Sequence, residues 1–355
     1  MSSFENFKCP NCDGALTFDS EKQKLSCAHC GGTFDVDSFN EGKDLKIENE
    51  VWNENNEIVT YTCKSCGGVI MADKNTVSTN CPYCGNPMVL SGNVEGDLKP
   101  KRIIPFKYNK EQAKECYKKH LSGKKLLPKE FLSNAVIDEI KGIYVPYWIF
   151  DGRADGKMWF NATRVRTWSD GSYNYTETSN YKLFRSCKLD FTDVPVDASS
   201  KIDDVLTQSI EPFDVKEQKD FNTNYLAGYM ADKYDVEADK SKQIAEERMR
   251  NSITQSLASM PIGYATVLPT TSSVNITEGS QTYVMYPIWL LNIKWKNKTY
   301  TFAMNGQTGK FVGDLPSDNS KLTKISILVF LGVTALVSIL QFIFIKWWKS
   351  YLYYY

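Results

Sequence analysis

Eight of the ten cysteines in this chain lie between positions 9 and 84, and all eight stand in C-x-x-C pairs. The first quartet is Cys9-Pro-Asn-Cys12, a spacer of fourteen residues, then Cys27-Ala-His-Cys30. The second is Cys63-Lys-Ser-Cys66, again fourteen residues, then Cys81-Pro-Tyr-Cys84, each cysteine 54 positions after its counterpart. A repeat of this kind leaves few options. Zn²⁺ takes four thiolates in a tetrahedron at about 2.3 Å. Each C-x-x-C turn supplies two ligands, and a β-hairpin across the spacer returns the chain to supply the others. In the first spacer LTF and KLS read as strands around SEKQ; in the second VIM and TVS flank ADKN. Units this small hold no adequate core alone, so metal binding must supply most of their folding free energy, on the order of 10 kcal/mol per site. Both ligand sets are closed, which is the structural rather than the catalytic arrangement. His29, inside a knuckle, is the one other residue there able to ligate, and it reads as a surface residue.

Thiolate ligands call for a reducing compartment. The N-terminus, MSSFENFKCP, has no basic region followed by an apolar run, so no signal peptide is expected. The opposite end differs. Ile325 to Ile345 are 21 residues without a charge. As a helix they would span about 30 Å, the thickness of a bilayer core. Lys321 and Lys324 precede the run; Lys346, Trp347, Trp348 and Lys349 follow it, with Tyr351 and Tyr353 to Tyr355 behind. Basic and aromatic flanks suit the headgroup level, but two Lys on each side leave the positive-inside rule undecided. The thiol argument places residues 1–324 in the cytoplasm, with a single pass through the cell membrane.

The region between is read as α+β. Helices are expected at Asn109–Leu121, Pro128–Lys141, Ser199–Ile210 and Ala238–Met260. Strands are expected at Tyr144–Phe150, Lys157–Trp168, Tyr173–Phe191, Ala265–Leu268, Thr282–Lys296 and Lys298–Met304. The stretches beginning Tyr144-Val-Pro-Tyr-Trp and Tyr283-Val-Met-Tyr-Pro look alike and suggest two similar halves. The expected fold class is therefore multidomain: two rubredoxin-like zinc ribbons, an α+β middle region and one C-terminal transmembrane helix. The divisions are ribbon one (1–40), an acidic linker (41–60), ribbon two (61–92), the α+β cytoplasmic domain (93–315), a juxtamembrane linker (316–324), the membrane helix (325–345) and a short aromatic tail (346–355).

Charge narrows the functions. Residues 1–96 hold 7 Lys against 14 Asp or Glu, and each Zn(Cys)₄ centre would add two negative charges, so the ribbons repel a phosphate backbone. The segment 97–130 reverses the balance, with 11 Lys or Arg against 4 acids, and could face anionic lipid or the acidic ribbons. The chain has only two His, His29 and His120, and no G-x-S-x-G, P-loop or H-E-x-x-H. Cys116 and His120 lie i, i+4 on an expected helix, a weak candidate for a nucleophile pair. No catalytic residue and no enzyme activity are expected.

The two quartets, at Cys9, Cys12, Cys27, Cys30 and at Cys63, Cys66, Cys81, Cys84, resemble the TFIIB-type zinc ribbon. With VPYWIFD at 145–151, FAMNGQTGKFVGDLP at 302–316 and the terminal apolar helix, the whole chain is similar to a family of bacterial TFIIB-type zinc ribbon-containing membrane proteins. That resemblance implies two structural Zn²⁺ ions and neighbours of the PspA or SPFH membrane-scaffold type. It also implies a role as an adaptor that recruits a protein partner to the cytoplasmic membrane under envelope stress. The alternative is a membrane-tethered nucleic-acid-binding or transcription-associated factor.

Overall fold

A computed structural model describes residues 8–39, 52, 58–73, 80–86, 88–93 and 98–353. Most of the acidic linker 41–60, the expected strand at Thr76–Ser78 and the terminal Tyr354 and Tyr355 lie outside the described residues. In chain order the strands are β1 (Leu16–Asp19), β2 (Lys24–Cys27), β3 (Thr33–Phe34), β4 (Ile58–Thr62), β5 (Val69–Asp73), β6 (Val89–Asn93) and β7 (Arg102–Ile103). Helices α1 (Lys110–Leu121) and α2 (Asn134–Ile137) follow, then β8 (Lys141–Ser169), β9 (Asn174–Asp197), α3 (Asp204–Ile210), β10 (Lys219–Asp220) and β11 (Met230–Asp232). The chain continues through α4 (Ala238–Ser259), β12 (Thr266–Trp295), β13 (Lys298–Asn305), β14 (Phe311–Gly313) and α5 (Asn319–Tyr353). The first quartet's hairpin, β1-β2-β3, is a separate three-stranded sheet; all other strands join one mixed sheet of eleven.

Three strands dominate: β8 with 29 residues, β9 with 24 and β12 with 30. Tyr144–Phe150 and Lys157–Trp168, read separately from sequence, are one strand. The intervening Asp151-Gly-Arg-Ala-Asp-Gly156 looks like a break because of its glycines, but these are sites of close packing. A Cβ on Gly156 would stand 2.8 Å from Ile253 Cδ1 and Leu257 Cδ1, and one on Gly152 3.0 Å from Met249 Sδ. Helix α4 thus lies directly on the strand, its Ala245, Met249, Ile253 and Leu257 buried at i, i+4 spacing. The expected helix at Pro128–Lys141 is corrected: only a 3₁₀ turn at Lys129–Leu132 and the single turn α2 form there. Its apolar residues serve separate contacts, Phe131 meeting Trp295 and Tyr300 while Ile137 and Ile140 enter the core.

The sheet has two regimes. At its base β8 and β12 are buried on both faces. Tyr144, Trp148, Met285 and Trp289 enter one core, and Val145, Tyr147, Val284 and Tyr286 the other. That is why VPYWIF reads as a continuous apolar run rather than an alternation. The look-alike stretches pair antiparallel, Tyr147 opposite Val284 and Val145 opposite Tyr286, bringing the Tyr147 and Tyr286 rings to 4.9 Å. The order short strand, helix, long strand, hairpin partner occurs as β7-α1-β8-β9 and as β11-α4-β12-β13. Each short strand pairs in parallel with the long strand of the other set, β7 with β12 and β11 with β8. Beyond the base, β8, β9 and β12 continue as a three-stranded blade with α4 on one face only.

Helix α5 leaves from the base and is exposed along its described apolar run. Among the described residues it is the one helix long and apolar enough to cross a membrane, over Asn319–Lys346.

Candidate metal centres

Each quartet is built from two tight turns with the same internal bonding. In the first, Cys9 N donates to Gly14 O at 2.7 Å and Asp13 N to Cys9 O at 2.9 Å; Cys27 N donates to Gly32 O at 2.9 Å and Gly31 N to Cys27 O at 3.0 Å. In the second, Cys63 N donates to Gly68 O and Cys81 N to Asn86 O, both at 2.8 Å, while Gly67 N and Gly85 N return to Cys63 O and Cys81 O. The residue just after the second cysteine of every pair is left-handed: Asp13 (φ 57°), Gly31 (72°), Gly67 (69°) and Gly85 (77°). Three of the four are glycine because only glycine adopts that geometry without strain.

The turns bring the sulfurs together as the spacing predicts. Cys9 Sγ lies 3.5 Å from Cys30 Sγ and Cys12 Sγ 3.6 Å from Cys27 Sγ. Cys63 and Cys84 are at 3.5 Å, Cys66 and Cys81 at 3.6 Å. Within each quartet all four sulfurs lie within 4.8 Å of one another. A tetrahedron with about 2.3 Å Zn–S bonds has edges of about 3.8 Å. The sites therefore fit a tetrathiolate metal, and four soft thiolates suit Zn²⁺. His29 is exposed and outside the cluster.

The thiols are strongly perturbed. Peptide N–H groups of Cys30 and His29 draw Cys27 down to about 6 despite its burial. The Gly14 peptide lowers Cys12, but burial and the neighbouring thiols of Cys27, Cys30 and Cys9 outweigh it and push Cys12 up to about 12. At the second site burial raises Cys63, yet the N–H groups of Cys66 and Ser65 win and bring it to about 7. Crowded thiolates resist joint ionisation; a dication at their centre removes that resistance.

The two centres are anchored differently. The first is a docked body. Phe18 N donates to Ala227 O at 2.9 Å, Asn224 Nδ2 to Val36 O at 3.0 Å and Gln23 Nε2 to Phe106 O at 2.8 Å. Phe18 also meets Tyr225 edge-on at 5.2 Å. The second is continuous with the large sheet, since β5 pairs with β11 through Ala231 opposite Met71. Asn292 Nδ2, on β12, donates to both Pro82 O and Tyr83 O at 2.7 Å, clamping the Cys81–Cys84 turn. Lys141 Nζ donates to Asn80 O at 3.0 Å. Sequence reading missed Asn292, Asn224 and Lys141; the only trace was a polar residue inside the apolar run WLLNIKW. Cys116 and His120 form no pair of their own: the His120 ring lies 5.3 Å from Phe311 and its Nε2 3.3 Å from Lys124 Nζ. Cys187 is half-buried on β9 in the blade, against the small core under α4.

No family model and no solved structure matches the chain. It is 35% identical over 318 residues to an uncharacterized protein of Bacillus subtilis (strain 168), YdjG, a match covering 89% of this chain and 92% of the relative.

Proposed function

The chain belongs to the family of YdjG, and we propose that it is a membrane-anchored adaptor in which two structural Zn²⁺ ions hold rubredoxin-like ribbons against a platform that presents a recognition blade. On this reading α5 is a single-pass anchor in the cell membrane and everything before it is cytoplasmic. The two β-α-β-β sets are copies of one unit, joined by exchange of their short strands. The family resemblance makes an SPFH- or PspA-type membrane protein the expected partner class. Neither metal centre has a role in catalysis, because each keeps four ligands and leaves no position for a substrate.

The observation that carries the reading is the division of labour along β8. The strand runs on the order of 90 Å at about 3.3 Å per residue. Its base lies with the metal centres and the start of α5; its far end projects past the C-terminus of α4. There the side chains change character. Trp168 stacks on Tyr175 at 5.5 Å, Arg166 lies 5.4 Å from the Trp168 ring, and Arg164 sits between Tyr181 and Tyr264 at 5.6 and 5.3 Å. Tyr173 is 70% exposed. Trp168, Tyr175 and Tyr181 are exposed here as well, and exposed apolar surface gathered at one place is a mark of an interaction site. Tyr, Trp and Arg are the residues that dominate binding energy at protein interfaces. The same pairing of arginine with aromatic rings favours the alternative, a membrane-tethered nucleic-acid-binding factor, since bases stack on such platforms.

One experiment separates them. Full-length protein is purified from detergent-solubilised native membranes as wild type, as Trp168→Ala/Tyr175→Ala and as Cys63→Ser/Cys66→Ser. The adaptor reading expects a protein that accompanies wild type in nuclease-treated, high-salt preparations and is lost from the blade variant. Identical recoveries from wild type and blade variant refute it. Recovery of nuclease-sensitive, salt-sensitive nucleic acid in place of protein transfers the function to the alternative.

A further inference from the structure

The chain around the start of α5 is not a free linker. Asp318 N donates to Leu126 O at 2.8 Å, and Lys321 Nζ donates to Leu127 O at 2.6 Å. The loop after α1 is therefore fixed to the first turn of the apolar helix, with Lys124 and Lys125 exposed upon it. Next along the chain, the 3₁₀ turn Lys129–Leu132 is held against the β12–β13 hairpin, Phe131 packing at 6.2 Å from Trp295 and 5.5 Å from Tyr300. That hairpin closes through Lys296 and Asn297, both with positive φ (48° and 61°), the two-residue geometry that turns sharply and exposes its tip. Lys296 Nζ lies 4.4 Å from the Trp295 ring and Lys298 Nζ 5.2 Å from the Tyr300 ring. Lys296 is also near enough to Asp318 to help hold its carboxyl below the usual range, a shift led by the Ser320 hydroxyl.

Segments nearly two hundred residues apart thus converge around the root of α5. They supply Lys124, Lys125, Lys129, Lys296, Lys298 and Lys324, with Leu132 55% exposed among them. Glu130 and Asp318 are the carboxylates within these segments. Three other cations of the basic stretch pair elsewhere: Lys107 with Glu217, Lys114 with Glu111 and Asp138, and Arg102 with Asp193.

We propose that this lysine collar is a second membrane contact, seating the globular part directly on anionic lipid headgroups around the inserted helix. The inference rests on the reading of α5 as a membrane anchor and deepens it. Each lysine held near an anionic surface is attracted to it, whereas collar lysines facing bulk water would gain nothing from their convergence. Lys over Trp and Tyr rings, with one exposed Leu on the adjoining 3₁₀ turn, is the amphipathic mix that suits a headgroup layer. The collar also bears on orientation. By chain position the apolar helix has two lysines on each side, a tie, but the fold gathers further positive charge on the N-terminal side, where the anionic cytoplasmic leaflet would attract it.

The test uses the unmodified full-length chain, reconstituted into vesicles of phosphatidylcholine alone or with one-third phosphatidylglycerol. Integration is scored by flotation after alkaline carbonate washing. Lysine acetylation rates are then read by mass spectrometry on protein facing outward. Collar lysines should react about fivefold more slowly in the anionic vesicles, the equivalent of roughly 1 kcal/mol each. Lys157, Lys182 and Lys188 on the blade should be unchanged, and molar salt should erase most of the protection. Stable integration with equal collar rates in both vesicles overturns the collar while leaving the anchor standing. Failure to float after carbonate removes both.

Discussion

Asn292 is the sharpest test of the claim that the second metal centre belongs to the sheet. Its side chain donates two hydrogen bonds of 2.7 Å to Pro82 O and Tyr83 O, the carbonyls inside the Cys81–Cys84 turn. In Asn292→Ala both carbonyls lose their donor at a half-buried position. Net values for such bonds are about 1 kcal/mol each, so the turn should lose about 2 kcal/mol of support. A loss of that size is roughly a thirtyfold change in an equilibrium constant, inside the 10- to 100-fold range usual when groups behind metal ligands are removed. The assay is competition for zinc by a chromogenic chelator on the full-length protein, which resolves release from two centres. One zinc should be released about thirtyfold more readily while the other keeps its wild-type affinity. Asn292→Asp should be worse than alanine, because a carboxylate would face two carbonyl oxygens beside a dianionic Zn(Cys)₄ centre. Equal weakening of both centres, or of neither, would refute the argument.

Two further outcomes follow from backbone conformation and from burial. Asp13 is the one non-glycine at the left-handed position of the four turns, so Asp13→Gly should be neutral or stabilising, whereas Gly67→Ala should cost about 1–2 kcal/mol; thermal melting of both variants checks this. Asp197 has its carboxyl raised to about 6 by burial, beside Thr207 as hydrogen-bond donor. An acid with a raised folded pKa penalises the native state where it is ionised, so the penalty is absent below pH 4 and complete above about pH 6, approaching about 3 kcal/mol. Asp197→Asn should therefore raise the melting temperature at pH 7.5 and leave it nearly unchanged at pH 4. A gain of equal size at both pH values would show that the carboxylate is not the cause.

Some features were legible because their cause is local. A C-x-x-C turn needs only six residues and a permissive φ after its second cysteine, so both quartets could be read directly from spacing. An uninterrupted apolar run long enough to cross a bilayer is equally self-declaring. The helix α1 carried its own start signal, since Asn109 and Gln112 form a reciprocal cap. The expected helix at 128–141 failed for the opposite reason. Its apolar periodicity was real, but each apolar residue is claimed by a different distant partner, Phe131 by the β12–β13 hairpin and Ile137 by the core, and a single straight helix cannot meet both.

The deeper division lies between what neighbours in the chain impose and what distant segments impose. Ligand spacing, hydrophobic length and local propensity act over short stretches, so two four-cysteine clusters, an apolar terminal helix and a strand-rich middle were already written in the chain. Long-range packing is what makes Gly152 and Gly156 continue a strand beneath α4 instead of ending it. It also decided that the second ribbon extends the main sheet while the first docks on it, and that lysines from positions 124 to 324 meet around one helix root. Those outcomes depend on contacts between segments far apart in the chain, such as Phe18 with Ala227, and spacing along a chain carries no record of which distant surface a side chain will meet.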